Sequence, residues 1–81
     1  MFYTYLIKSK IKNWVYIGST SDLVKRFKEH NSGKSKSTKG FTPFELIYYE
    51  SYRTNSLARK REIELKNNSQ QKEILFKRLG L

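Results

Sequence analysis

Hydrophobic and polar positions along the chain divide it into strand-like and helix-like segments. Dense aromatic and aliphatic residues predict three strands, at Phe2–Ile7, Trp14–Ile17 and Phe44–Tyr52. Apolar residues at helical spacing predict three helices, at Asp22–Asn31, Ser56–Lys66 and Gln70–Leu79. The order β-β-α-β-α-α indicates an α/β (α+β) fold. We expect a small three-stranded sheet, at least partly antiparallel and flanked by about three helices, because a polar stretch of hairpin length joins the first two strands.

The connecting segments carry turn and capping signals. Gly18–Asp22 predicts a turn that supplies the N-cap of the first helix. Asn68 and Gln71 fit a capping box at the start of the third helix. The segment Ser32–Pro43 contains two glycines, one proline and three lysines, and it predicts a mobile basic loop.

Tyrosines are concentrated on the predicted strands. If Tyr5 lies opposite Tyr16 in the hairpin, the two phenols share one face of the strand pair. We interpret Tyr48, Tyr49 and Tyr52 on the third strand as packed sheet residues rather than base-stacking platforms, because such strand positions are ordinarily packed.

The charge of the chain indicates a polyanionic partner. Among its 81 residues, 17 are lysine or arginine and 7 are aspartate or glutamate, which gives a net charge of +10. A field of that sign attracts nucleic acid, an anionic membrane or an acidic protein. No apolar run approaches the roughly 20 residues of a membrane span, and the first residues lack the pattern of a signal peptide. We therefore expect one soluble, cytoplasmic domain over residues 1–81.

Several common catalytic and metal-binding patterns are missing from the sequence. With one histidine and no cysteine, the chain cannot form a zinc finger or a disulfide. Gly33-Lys34-Ser35 ends like a phosphate-binding P-loop, but Lys28 stands where that motif requires glycine. No serine lies in a nucleophile-elbow pattern with which His30 could complete a hydrolase triad. The remaining candidates are polar residues on the predicted helices.

Arg26 and His30 are the first such candidates. At 100° per residue, both fall at the edge of an apolar stripe formed by Leu23, Val24 and Phe27. Their spacing of four residues makes them neighbours on the helix surface. Spacing alone favours an ordinary amphipathic border, in which the arginine stem lies along the core.

Glu62 is the second candidate, on the next predicted helix. It falls four residues after Ala58 and three before Leu65, so all three point inward. A carboxylate moved into apolar surroundings costs several kcal/mol unless a cation or strong donors meet it. The pattern leaves two alternatives open, a salt bridge to one of many basic neighbours or a ligand to a metal ion.

An ordered set of motifs resembles the GIY-YIG nuclease superfamily. Tyr3-Thr4-Tyr5 followed by Tyr16-Ile17-Gly18 resembles the paired motif that names this superfamily. Arg26 and His30-Asn31 on the first helix, then Glu62 on the second, are similar to its arginine, histidine and metal-binding glutamate. Each motif alone is common, whereas the ordered set at these distances is specific.

The resemblance covers about Phe2–Leu79 and is closest to the small stand-alone bacterial branch. The nuclease module of the excision-repair incision subunit is a more distant relative. One departure is Tyr3, which stands where the first motif of the superfamily has glycine. A second is that 81 residues leave no room for the separate DNA-recognition domain of many family enzymes. The second departure bears on the choice of substrate.

The resemblance implies an endonuclease that hydrolyses a phosphodiester bond of DNA with one divalent ion, Mg²⁺ or Mn²⁺, held by Glu62. It implies that Arg26 binds the phosphate, that Tyr5 or Tyr16 takes the proton of the attacking water, and that His30 assists proton transfer. The basic loop would add DNA contacts through Lys34, Lys36 and Lys39. A catalytically inactive nucleic-acid-binding module and a protein-interaction domain are the alternatives.

Overall fold

The computed structural model describes all 81 residues as an antiparallel sheet with helices on both faces. The strands are β1 (Phe2–Ser9), β2 (Val15–Thr20) and β3 (Phe44–Tyr52), in the spatial order β2-β1-β3. The helices are α1 (Leu23–Asn31), α2 (Asn55–Asn67) and α3 (Ser69–Arg78), with a short 3₁₀ helix at Lys39–Phe41. The predicted class and element order are confirmed. No helix combines the length and apolar character needed to cross a membrane.

The two faces of β1 contribute to two separate cores. Successive strand residues point to opposite faces, so Leu6 packs with Ile17 and with Leu65 of α2. On the other face, Tyr5 and Ile7 pack with Phe44, and side chains of α1 cover them. The sheet therefore separates an α1 face from a face covered by α2 and α3.

Strand β2 is longer than the sequence predicted. Gly18, expected to begin a turn, lies inside the strand, which continues to Thr20. The expected pairing of the two tyrosines is also wrong, because Tyr5 lies opposite Gly18 and Tyr16 lies opposite Ile7. The offset is two residues, so both phenols still lie on the α1 face.

Caps define the helix ends. Asp22 Oδ1 accepts a hydrogen bond from Lys25 N at 3.1 Å, which confirms the predicted N-cap of α1. Asn68 Oδ1 likewise caps α3 by accepting from the backbone amides of Gln70 and Gln71, both at 3.1 Å. The reciprocal half of the predicted capping box is wrong, because Asn68 N donates to the carbonyl of Glu64 in α2 instead.

Two predicted core positions are exposed. Val24, assigned to the apolar stripe of α1, is 66% exposed, because α1 covers the centre of the sheet and Val24 lies on its outer flank. Tyr49 is 52% exposed instead of packed, because α1 leaves this part of β3 uncovered. Tyr48 packs against the core beneath α2, as predicted.

The segment of residues 32–43, predicted as a mobile loop, is held by contacts to α1 and to the β1–β2 hairpin, and a hydrogen bond between its two flanks closes it. Thr38 is buried and hydrogen-bonds with His30 of α1. Phe44 N donates to Asn31 Oδ1 at 2.6 Å where β3 begins. The ring of Phe41 stacks on that of Trp14, with centroids 3.9 Å apart. These anchors set the loop beside α1 and the β1–β2 hairpin.

Candidate active site

Three aromatic side chains from three elements meet on the α1 face of the sheet. Tyr5 of β1 and Tyr16 of β2 have ring centroids 6.4 Å apart. The His30 ring of α1 lies 5.8 Å from Tyr5 and 5.1 Å from Tyr16. Arg26 lies one helical turn before His30, and its charge acts on both Tyr5 and His30. We call Tyr5, Tyr16, Arg26 and His30 the Tyr5 cluster.

Gly18 provides the space that the Tyr5 ring occupies. A Cβ atom on Gly18 would lie 2.5 Å from Tyr5 Oη and 3.0 Å from Tyr16 Cε2. Such contacts are shorter than packed side chains tolerate, so any larger residue would displace the phenol. The glycine of the Tyr-Ile-Gly motif is therefore required here by close packing.

The polar groups of the cluster form a chain of hydrogen bonds whose direction follows from the end at Thr38. Tyr5 Oη lies 2.7 Å from His30 Nε2, and His30 Nδ1 lies 2.9 Å from Thr38 Oγ1. Thr38 Oγ1 donates to the carbonyl of Ser35 at 3.5 Å, so it accepts from His30 Nδ1–H. Nε2 of a neutral ring then carries no proton and accepts from the Tyr5 hydroxyl.

Burial fixes the protonation states in this chain. Burial raises the pKa of Tyr5 to about 12, although the hydrogen bond from Arg26 opposes the rise. Burial and the charge of Arg26 lower the pKa of His30 to about 4. At neutral pH, Tyr5 is therefore a protonated phenol and His30 a neutral imidazole, as the hydrogen-bond directions require.

Arg26 and Tyr16 are the members of the cluster that reach the surface. Burial opposes the charge of Arg26, but its hydrogen bonds to Tyr5 and Glu29 outweigh this effect and raise its pKa. Its side chain is part-exposed and lies 3.3 Å from Glu29 Oε1. Tyr16 is half-buried, and no protein group hydrogen-bonds with its hydroxyl.

Glu62 lies on the opposite face of the sheet, under α2. Its side chain is only 5% exposed and binds three donors. Ser19 Oγ donates to Oε1 at 2.6 Å, Arg59 Nη1 lies 3.2 Å from Oε1, and Lys66 Nζ lies 2.7 Å from Oε2. Burial opposes ionisation, but the hydrogen bonds from Lys66 and Ser19 and the nearby cations outweigh it and lower the pKa of Glu62. The salt bridge foreseen from the sequence is present.

Lys66 links Glu62 to the Tyr5 cluster around the edge of the sheet. Its Nζ lies 5.5 Å from the centroid of the Tyr16 ring while binding the Glu62 carboxylate. This reach is possible because β2 is an edge strand. The fold thus brings four predicted residues together in the Tyr5 cluster. The fifth, Glu62, lies on the other face of the sheet, across the edge strand β2.

The predicted DNA-binding lysines are exposed on the loop that Thr38 attaches to His30; these are Lys34, Lys36 and Lys39. Lys66, four residues after Glu62, is one of the basic neighbours that the sequence offered for the salt bridge. Sequence reasoning missed two residues of the site, Ser19 and Thr38. Ser19 was hidden by the early end predicted for β2, and nothing in the pattern marked Thr38.

Comparisons with known proteins identify the family of this chain. A model of the GIY-YIG catalytic domain matches residues 1–74. The UPF0213 protein YazA of Bacillus subtilis is 42% identical over 73 residues, which cover 89% of this chain and 73% of YazA. A UPF0213 protein of Halobacterium salinarum is 40% identical over 78 residues, 94% of this chain and 100% of that protein. The solution NMR structure of a UPF0213 protein of Bacillus halodurans matches with a TM-score of 0.54 and 30% identity, covering 93% of this chain and 83% of that one.

Proposed function

We propose a function for this chain from one premise: it belongs to the GIY-YIG catalytic domain family. The family is one of nucleases, and we infer that this chain is a metal-dependent endonuclease that hydrolyses a phosphodiester bond of DNA. The catalytic unit would be a single domain of residues 1–81. The observation that carries the proposal is the buried Tyr5–His30–Thr38 hydrogen-bond chain, which places the His30 ring 5.1 Å from the ring of Tyr16 and one helical turn after Arg26.

The Glu62 carboxylate suits a divalent cation. Its oxygens are hard ligands of the kind that Mg²⁺ and Mn²⁺ prefer, and its lowered pKa keeps it ionised. The Lys66 ammonium is a cationic stand-in at Oε2, and its 43% exposure allows it to turn to solvent. Because no cluster of three acidic, histidine or cysteine ligands surrounds Glu62, water and phosphate oxygens would complete the shell. The bound ion would polarise the phosphate and stabilise the leaving oxygen.

Arg26 is proposed to bind the phosphate. Its guanidinium presents several N–H donors in one plane, and only Nη1 is engaged by a protein group, Glu29 Oε1 at 3.3 Å. The remaining donors can contact the phosphate oxygens on which charge grows in the transition state. The ion pair with Glu29 restricts the guanidinium, which limits the reorganisation needed during the reaction.

Tyr16 is proposed as the general base, since the structure distinguishes the two tyrosines. Tyr5 is 1% exposed, its pKa is raised to about 12, and its hydroxyl is already bound to His30. Tyr16 Oη has no protein partner and can take the proton of the attacking water. A negative charge on this oxygen would face two cations, Lys66 and Arg26.

His30 and Tyr5 are proposed as positioning residues. His30 is fully buried and neutral at physiological pH, because its pKa is about 4. Its Nε2 accepts a hydrogen bond from the Tyr5 hydroxyl, and Nδ1 is bound to Thr38, so neither ring nitrogen is free for a substrate. In this arrangement His30 orients Tyr5 in place of the proton transfer that the family resemblance suggested for it.

A cleavage assay tests the proposal. Labelled single-stranded, duplex and branched DNA would be incubated with the protein in Mg²⁺, in Mn²⁺ and with a chelator. We expect metal-dependent cuts, and we expect Arg26→Ala to lose far more turnover than DNA affinity, because Arg26 acts mainly in the transition state. DNA binding without cleavage in any metal would instead identify an inactive nucleic-acid-binding module.

A further inference from the structure

A second basic segment lies next to the loop of residues 32–43, at the tip of the β1–β2 hairpin. It carries Lys10 and Lys12, both exposed, and neither forms one of the five salt bridges of the protein. We call these two the hairpin lysines, and Lys34, Lys36 and Lys39 the loop lysines. Lys8 is excluded from this set because Glu45 lies opposite it on β3.

Buried contacts join the hairpin tip to the loop. Ser9 Oγ, buried at the start of the hairpin, accepts from the backbone amides of Ile11 at 3.2 Å and Lys12 at 3.1 Å. The same hydroxyl donates to the carbonyl of Phe41 at 2.6 Å. Lys10 N donates to the carbonyl of Pro43 at 2.9 Å. The backbone that carries the hairpin lysines is therefore fixed against the loop.

A line of aromatic rings connects Tyr16 to the hairpin lysines. The Tyr16 ring lies 6.0 Å from that of Trp14, which stacks on Phe41 at 3.9 Å and an interplanar angle of 15°. Lys12 Nζ lies 4.8 Å from the Phe41 centroid. Lys12 Nζ is therefore within about 15 Å of the Tyr16 ring, the length of about four base-pair steps of roughly 3.4 Å.

We propose that the hairpin lysines and the loop lysines form one surface that binds the sugar-phosphate backbone of DNA within about four base pairs of the phosphate at Tyr16. The position of that phosphate rests on the proposed function, whereas binding to the surface does not. Lysine ammonium groups are point charges that contact phosphates without reading bases. The surface therefore contributes affinity and register but no sequence preference.

The test is the salt dependence of DNA binding by Lys10→Gln/Lys12→Gln in the absence of divalent metal. Each phosphate neutralised contributes about −0.9 to the log–log slope on duplex DNA and about −0.7 on a single strand. We expect the double variant to have a slope shallower by about 1–2 on duplex DNA than the wild type. Both side chains are exposed, so the variant should fold and melt like the wild type.

A matched control removes the same charge elsewhere. Arg53 and Lys60 are both exposed. Arg53 directly follows β3 at the end of the sheet remote from the hairpin, and Lys60 lies in the first half of α2. Arg53→Gln/Lys60→Gln should keep the wild-type slope. A wild-type slope for the hairpin variant, or an equal change in the control, would overturn the proposal. If the wild-type protein cuts no DNA but the hairpin variant still shows the shallower slope, the surface stands and the proposed nuclease function fails.

Discussion

Two sets of tyrosine, arginine and glutamate lie at opposite edges of the same sheet. At the β2 edge, the Tyr5 cluster lies across the strand from Glu62 and Lys66. At the β3 edge, the Glu50 carboxylate accepts hydrogen bonds from Tyr48, Tyr52 and Arg61. We call these four residues the Glu50 network. Residue type alone does not distinguish the two edges.

The two edges differ in how many of their polar groups are hydrogen-bonded to other protein groups. In the Glu50 network, both phenols donate to the carboxylate, and Arg61 adds a second ion pair to Glu64. At the β2 edge, the Tyr16 hydroxyl has no protein partner, and the cations on Glu62 are 43% and 63% exposed. A closed network stabilises a fold, whereas an open one can bind a substrate.

The largest expected contrast is between Glu62→Gln and Glu50→Gln. Loss of the Glu62 charge should lower cleavage by about 10³-fold or more, because an electrostatic stabiliser of the transition state is removed. Its cation partners can turn to solvent, so the free energy of unfolding should fall by only about 1 kcal/mol. Glu50→Gln should lower the free energy of unfolding by roughly 2–4 kcal/mol, because Arg61 loses a partly buried partner, and should leave cleavage by the folded protein unchanged.

Thermal melts and cleavage rates on the same preparations measure both effects, at a temperature where each variant is folded. If a folded Glu62→Gln protein cuts DNA at the wild-type rate, the β2 edge is not the catalytic one and the proposed difference between the two edges is wrong. So would a loss of cleavage in Glu50→Gln that exceeds its unfolded fraction.

Acid stability offers the next contrast, because only the β2 edge contains a histidine. The pKa of His30 is lowered from 6.5 to about 4 in the folded protein, so the unfolded chain binds a proton first as pH falls. The contribution of neutral His30 to the free energy of unfolding is therefore fully present above pH 6.5. It is lost as the pH falls from 6.5 to 4, and it amounts to about 3 kcal/mol at most. The pKa of Glu50 is also lowered, from 4.5, so its contribution begins to be lost only as the pH falls below about 4.5.

Denaturant unfolding between pH 7 and 4.5 measures this loss. His30→Gln removes the titrating imidazole, and the slope of its unfolding free energy against pH should be shallower than that of the wild type. Comparing slopes separates titration from any constant destabilisation of the variant. Equal slopes would show that His30 is not held neutral by burial.

The sequence predicted the elements well because the local signals agree with the final packing. The alternation of Thr4, Tyr5, Leu6 and Ile7 identifies β1, and Asp22 marks the start of α1. The offset of Tyr5 from Tyr16 was not predictable, because Gly18 reads as a turn residue. Only the three-dimensional structure shows that its missing side chain is replaced by the Tyr5 ring.

The site was predicted as a set of residues but not as an arrangement. Helical spacing places Arg26 beside His30 and Glu62 on an inward face, which follows from short-range geometry. Nothing local shows that these faces lie on opposite sides of the sheet, or that Lys66 reaches around β2 to Tyr16. Nor does it show that Thr38 fixes the tautomer of His30, since the two are joined only when the loop folds back.

A comparison of Tyr16→Phe with Tyr48→Phe tests the roles of the two hydroxyls in cleavage. The Tyr16 hydroxyl has no protein partner, whereas the Tyr48 hydroxyl binds Glu50. Loss of a general base should lower cleavage by about 10²-fold, with little change in stability because the Tyr16 hydroxyl binds no protein group. Tyr48→Phe removes a donor to Glu50 and should lower the free energy of unfolding by about 1 kcal/mol without affecting cleavage. If Tyr5→Phe loses more turnover than Tyr16→Phe, Tyr5 is the base and the assignment is reversed.

The smallest expected effect concerns Lys66, whose part-exposed ammonium group covers the Glu62 carboxylate on its solvent side. Its Nζ lies 2.7 Å from Glu62 Oε2, so a divalent cation must displace it to bind that oxygen. Lys66→Met should therefore tighten Mn²⁺ binding by roughly threefold to tenfold, the equivalent of a weak exposed ion pair of about 1 kcal/mol. Isothermal titration of the protein without DNA measures this directly. Lys60→Met removes the same charge from an exposed position of α2 and corrects for the general field. Equal tightening in both variants would show that Lys66 repels the ion only at a distance, and unchanged Mn²⁺ affinity in Lys66→Met would show that the ion does not use this oxygen.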